Sequence, residues 1–482
     1  YIFGGSCSVC TGKNYFGSTD WKDFGPRIGF AWQPMNKWTI RGAYGIFYSP
    51  DTQEDFGLPT PTFAWAGTYS LGANPINPWQ GIFNWDTGFP NNTFVPPTFN
   101  RSYADNIGGA TMIDPKYNKI PYVQQWNLNI QRELPGNIVL DVGYVSNKGT
   151  RQKDQALAPI NQLPTSVLSQ FGTTLNSTVA SAADAAKYGI AYPYPGFSGT
   201  VASALRQYPQ IRANNTITDL FAPLGFSTFN SLQVTVNKRF SKGLNIYADY
   251  VWSKAMSNGA GSSCQGCAGN PGPLDYYNLK LEKAPVNYNQ PQVFKALVNY
   301  QLPIGRGQAV LNKAPKAVDV VLGGWAMAWI LNYASGTPLG FTAPSPLATG
   351  WNGATNRDNI APGNMKNSAF DRTVFNYANT SSPTDTYLNK ALFSQPAPLT
   401  LGNSAVDYTQ ILGFGTISEN VSLSKNMKIN ERFKWQLRVE FYDAFNRHQL
   451  SGINTSITSP LFGQVTSVSG NRTGQIGTRL DF

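Results

Sequence analysis

The chain has 482 residues with 37 Lys+Arg against 26 Asp+Glu, a formal net charge of +11, only 13% charged residues, 13% aromatics, 46 Gly and 33 Pro. So many rings exclude a disordered chain, and so few charges exclude a solvated helical surface. The basic residues are scattered and form no stripe, so nucleic acid is not an expected partner. No run approaches the roughly 18 apolar residues of a membrane helix, and the longest, Gly323 to Leu331, is half that length.

In chain order, segments with apolar/polar alternation recur, the period of a half-buried strand. The first two are Arg27–Gln33, with Ile28, Phe30 and Trp32 on one face, and Trp38–Tyr48, with Trp38, Ile40, Tyr44, Ile46 and Tyr48. Val123–Glu133 sets Trp126, Leu128 and Ile130 opposite Gln125, Asn127, Asn129 and Gln131, and Pro135-Gly136-Asn137 turns it into Ile138–Ser146. A single short helix is expected at Thr178–Lys187. Phe229–Phe240 and Leu244–Ala255 follow, joined by Ser241-Lys242-Gly243, then Gln292–Leu302 and Trp325–Ser335. Glu419–Lys428, Phe433–Asn446 and Arg472–Phe482 complete eleven strands.

The connections alternate. Short turns near 34–37, 134–137, 241–243 and 429–432 alternate with loops near 49–122, 147–228, 256–291 and 336–418, and the link at 303–324 is too long to be a turn. Strands of about ten residues with aromatics at both ends, short turns on one side and long loops on the other describe an outer-membrane barrel. Loops of this length are uncommon in compact soluble domains. Lipid offers the backbone no hydrogen-bond partner, so membrane strands must close into a ring. The fold expected is all-β, an antiparallel transmembrane β-barrel with long extracellular loops. Eleven strands beginning on the loop side cannot complete an even-numbered ring, so further strands are expected N-terminally. A doubled count of about 22 is transporter size.

FGPRIGFAWQP (24–34), IRGAYGIFY (40–48), VQQWNLNIQRELPGNIVLDVGYVSNKGTR (123–151), FNSLQVTVNKRFSKGLNIYADYVWSKAMSN (229–258) and WQLRVEFYDAFNRHQL (435–450) resemble the C-terminal barrel region of TonB-dependent outer-membrane receptors, of the Oar-like type. The LPIGRG (302–307) and LGGWAMAWILNYASGTPL (322–339) stretches match as well. The terminal IGTRLDF resembles an outer-membrane assembly signal, with Ile476, Thr478, Leu480 and Phe482 read by the barrel-assembly machinery. The resemblance implies a bacterial (Gram-negative) outer-membrane location and contact with lipid and lipopolysaccharide. It implies uptake of an external ligand energised by TonB through an N-terminal region. The family's plug, its TonB-contacting box and its first barrel half have no counterpart here, leaving 1–482 as the C-terminal part of such a barrel.

No catalytic set emerges, because the only histidine is His448 and no P-loop or dinucleotide fingerprint is present. The chain is read as neither an enzyme nor a cofactor protein. Cys7 and Cys10 form one C-x2-C pair, Cys264 and Cys267 a second, and this spacing is open to zinc. Their Gly/Ser-rich context and an oxidising exterior favour local disulfides, Cys7 with Cys10 and Cys264 with Cys267. Asp249, Glu440 and Asp443 are read as members of structural charge ladders with residues such as Lys434 and Arg438. Loop 49–122 carries the candidate ligand aromatics Phe63, Trp65, Tyr69, Trp79 and Trp85, which suit stacking on sugars or packing over a lumen, whereas loop 147–228 reads as less specific. A non-transport role in surface adhesion or assembly is the alternative.

Overall fold

The computed structural model describes residues 20–48, 86, 110–112, 119–211, 217–219, 222–259, 272–341, 356–372, 385–428 and 433–482. Eleven strands run through one antiparallel sheet in sequence order. They are β1 (Arg27–Trp32), β2 (Trp38–Tyr48), β3 (Tyr122–Leu134), β4 (Ile138–Gln152), β5 (Gly225–Ser241) and β6 (Leu244–Ser257). After them come β7 (Gln292–Gln301), β8 (Trp325–Ala334), β9 (Thr416–Lys428), β10 (Lys434–Tyr442) and β11 (Thr473–Asp481). A short strand, Ala284–Pro285, adds to the end of β6. Among the described residues β1 and β11 each pair on one side only, so the sheet is not closed.

The pairing register keeps the two faces in phase across the sheet. One row crosses Ile40, Ile130, Val142, Val234, Tyr250, Phe294, Tyr333 and Ile417. The adjacent row, one residue along each strand, crosses Thr39, Gln131, Asp141, Thr235, Asp249, Lys295, Asn332 and Ser418. Because side chains alternate with period 2, a slip of one residue at any pair would mix these rows. None does.

The apolar face is not a buried core. Trp38, Tyr250, Trp329 and Trp435 are half-buried, Ile28, Phe30, Trp32 and Ile476 are exposed, and among the described residues of the eleven strands Ala296 is the only apolar one that is fully buried. A soluble sandwich would pack that face against a second sheet. The buried apolar clusters lie instead in the segments beyond the 152/225 and 334/416 ends of the strands. The turns at 135–137 and 242–243 on the opposite side are tight. Lys242 and Gly243 form a two-residue connection with φ of 50° and 79°, the paired positive φ of a type I′ hairpin.

Among the described residues no helix is long and apolar enough to cross a membrane. The helix expected over Thr178–Lys187 is confined to Ala182–Lys187, because Thr178–Val179 is extended and pairs with Gly199–Thr200. Helices at Thr165–Phe171, Val201–Ala204 and Lys316–Leu322 were not expected. Each has seven residues or fewer, too few turns for a helical period to show.

Candidate functional site

Two surfaces could do chemistry: the polar sheet face and the layer of long loops at one end. On the polar face neighbouring strands are tied by side-chain bonds. Thr235 donates to Asp249 at 2.6 Å, Gln436 to Asn426 at 2.8 Å, Asn129 to Asp141 and Gln475 to Glu440. Arg438 pairs with Glu440 at 3.3 Å, the ladder partnership expected of those residues. Such a face suits the wall of a water-filled or ligand-filled lumen.

The loop layer is folded. Leu163, Leu168, Leu175, Val179, Tyr194, Phe197 and Val201 form one buried cluster, closed by Leu399 from a loop some 200 residues later. Phe341, Tyr387, Leu388, Ile411 and Phe462 form a second, in which the Phe341 and Phe393 rings stand 4.7 Å apart and those of Phe393 and Phe462 4.9 Å. A polar chain stitches three loops together. Arg357 pairs with Glu282 at 2.5 Å and donates to Leu281 O, Glu282 accepts from Leu274 N, and Gln162 bonds Leu274 O and Tyr276 N. The pair is sheltered, its side chains 7% and 2% exposed.

Three charges in this layer are strained by burial. Asp358 is fully buried with neither carboxylate oxygen bonded to a described residue, and burial pushes it up to about 6. Burial also pushes Asp407 up to about 6, against the pull of Arg357. Arg206 is 4% exposed with its guanidinium nitrogens unbonded among the described residues, and burial brings it down to about 10. Two open recesses mark the loop surface. One of about 400 Å³ is lined by Ile360, Asn364, Met365, Asn403, Tyr408 and Gln410, the other of about 240 Å³ by Lys390, Phe393, Gln395, Ile457 and Phe462.

The sequence-derived candidates divide sharply. Phe63, Trp65, Tyr69, Trp79 and Trp85 lie outside the described residues. So do Cys7, Cys10, Cys264 and Cys267, and with them both the disulfide reading and the zinc reading of those four side chains. Ile476, Thr478, Leu480 and Phe482 are all exposed; the first three share the apolar face of β11, where Thr478 accepts from Trp435 Nε1 at 2.7 Å. Among the described residues no group of three or more His, Cys, Asp or Glu side chains could hold a metal ion. His448 sits in the segment after β10, its Nδ1 3.2 Å from Gly470 O. Sequence reasoning missed Gln162, Glu282, Arg357, Asp358 and Arg206. Their partners or burial come from segments far apart in the chain, and no local spacing signals that.

The outer membrane beta barrel domain family matches residues 3–475. No curated protein sequence matches the chain. Solved structures similar to it include the outer membrane transporter YddB from Escherichia coli, at 11% identity and TM-score 0.37 over 92% of this chain and 38% of that one. The ferric yersiniabactin uptake receptor FyuA from Yersinia pestis is 9% identical with a TM-score of 0.35, over 95% and 37%. The ferripyoverdine receptor of the outer membrane of Pseudomonas aeruginosa is 8% identical with a TM-score of 0.37, over 95% and 33%. The chain therefore spans between a third and two fifths of the length of these structures.

Proposed function

The chain belongs to the outer membrane beta barrel domain family, and from that premise we propose that it is the C-terminal, eleven-strand part of a TonB-dependent receptor that takes up an external ligand. It is a transport wall and not an enzyme. The carrying observation is the sheet itself. Eleven antiparallel strands keep a mainly apolar face and a mainly polar one in register, and the first and last run in the same direction. An all-antiparallel ring cannot be closed by joining β1 to β11, because that seam would be parallel. An odd number of further strands has to intervene, and eleven would make a 22-stranded wall, a size that in outer-membrane transporters encloses a plugged lumen.

In this reading the plug, the TonB-contacting segment and the remaining strands belong to the same polypeptide beyond the 482 residues, with 49–122 among the external loops. Ile476, Thr478, Leu480 and Phe482 form the face offered to the assembly machinery. The Oar-like assignment rests on the sequence stretches alone. The ligand meets the folded loop layer before the lumen.

The test is uptake by cells carrying the full-length receptor, measured with and without a protonophore. Accumulation of a ligand that the protonophore abolishes is the expected result. A receptor that inserts but accumulates none of a panel of glycans, peptides and chelates, or does so without energy, contradicts the proposal and favours the adhesion or assembly role.

A further inference from the structure

The link between β7 and β8, residues 302–324, is the one turn-side connection too long for its place. It carries the helix Lys316–Leu322, which has no buried residue. Val318, Val320, Val321 and Leu322 are 37%, 56%, 64% and 46% exposed, and Val310 and Leu311 nearby are 50% and 43%. At 100° per residue Ala317, Val321, Val318 and Leu322 fall in one arc, and Lys316, Asp319 and Val320 on the other side. The polar side turns back on the link, where Asp319 Oδ1 accepts from Arg306 N at 2.6 Å. A packed helix would bury its apolar arc; this one presents it.

The position of the helix is set by two residues of the sheet's apolar face. Trp325 and Lys425 face each other in the β8–β9 register, in phase with Trp329 and Val421. Trp325 Nε1 donates to Val321 O at 3.1 Å. Lys425, 4% exposed, donates through Nζ to Val321 O and Gly323 O, with Nζ 5.4 Å from the Trp325 ring. An ammonium on a lipid-facing strand is costly unless covered. Here the last carbonyls of the helix and an indole cover it. The helix C-terminus is thereby fixed on the apolar side of the turn-end rim, directly continuous with Trp325, Met327 and Trp329.

We infer that residues 310–322 form an interfacial anchor that lies on the turn-side leaflet of the membrane, with Val318, Val321 and Leu322 in the acyl boundary. The occupant of this surface is phospholipid. Continuity with the lipid-facing band selects it, and the exposed Lys313 and Lys316 stand where headgroup phosphates lie. The inference rests on the outward orientation of the apolar face, and its test separates the two.

The protein is reconstituted in phosphatidylethanolamine/phosphatidylglycerol vesicles containing a phospholipid with an acyl-chain diazirine, irradiated, and mapped residue by residue by mass spectrometry. Labelling of 317–322 within about threefold of Met327 and Trp329, and about tenfold above the turn 135–137, is expected. The double variant Val321→Glu, Leu322→Glu removes no buried contact, and should lower labelling of 317–320 about tenfold while 325–333 stays labelled. Labelled strands with 317–322 at the level of 135–137 overturn the anchor, whether the helix is bare or covered by a protein. Unlabelled strands overturn the outward orientation itself, and the anchor with it.

Discussion

Arg357 and Glu282 share a sheltered contact in which neither charge reaches water. Removing one partner strands the other, so Arg357→Ala should cost the loop layer about 3–5 kcal/mol, whereas the same substitution at exposed Arg479 should cost less than about 1 kcal/mol. Guanidinium unfolding in detergent, followed by protection of 272–291 from proteolysis, measures both. Asp358 works the other way. Its carboxyl is raised from 3.8 to about 6 in the fold, so its proton stabilises the folded state fully below pH 4, and that stability is lost as the pH rises through 6. Held charged at pH 8, the group costs about 3 kcal/mol at about 1.4 kcal/mol per unit. Asp358→Asn should therefore match the parent at pH 4 and exceed it in thermal stability at pH 8. Equal stability at both values would show the carboxylate is compensated. At the chain end, Phe482→Ser should lower outer-membrane insertion several-fold, read as the heat-modifiable band on a gel. Unchanged insertion would remove Phe482 from the assembly signal.

Strands are where position decides the sign of a change. Val421 lies midway along the membrane-facing part of β9, between Trp329 and Phe441, so Val421→Arg should cost about 2–4 kcal/mol in refolding into vesicles. Its neighbour Ser422 points to the polar face opposite Glu440, and Ser422→Arg should be close to neutral. Equal costs would mean that both faces see the same medium. The eleven strands were readable in the sequence because alternation is a local property, and β2 is bounded by the residues its pattern marks, Trp38 and Tyr48. Elsewhere the ends shift. β4 and β5 continue to Gln152 and from Gly225, past the point where Asn147, Lys148 and Gly149 break the apolar pattern, because pairing between the two strands persists into the loop side. The fold of the loops was not readable. Leu399 joins Leu163 and Phe197, and Phe462 joins Phe341, across separations that no window spans. Loop 147–228, read as the less specific, holds most of the first buried cluster, since Ser, Thr and Ala between its Leu, Tyr and Phe anchors dilute the apolar signal.

The whole molecule divides by solvent. Along β2, 11 residues at roughly 3.4 Å each and a tilt of about 40° carry the chain across roughly 29 Å, enough to cross the apolar band of about 25 Å of an outer-membrane barrel. Trp32, Trp38, Trp325 and Trp435 stand at the turn end of their strands, and Tyr48, Tyr122, Phe294 and Tyr333 toward the loop end. Rings at both ends of an apolar belt are what two headgroup layers select. Above the belt, the loops bury their own cores and need no sheet beneath them to exclude water. The edges of β1 and β11 are what the ring still has to satisfy, since an unpaired backbone in hydrocarbon is untenable. Cryo-electron microscopy of the full-length polypeptide in lipid nanodiscs tests this most directly. An even-numbered antiparallel ring is predicted, with β1 and β11 each hydrogen-bonded to a further strand and the Trp329–Val421 face against lipid. A seam pairing β1 with β11, or that face packed against protein, would contradict the account.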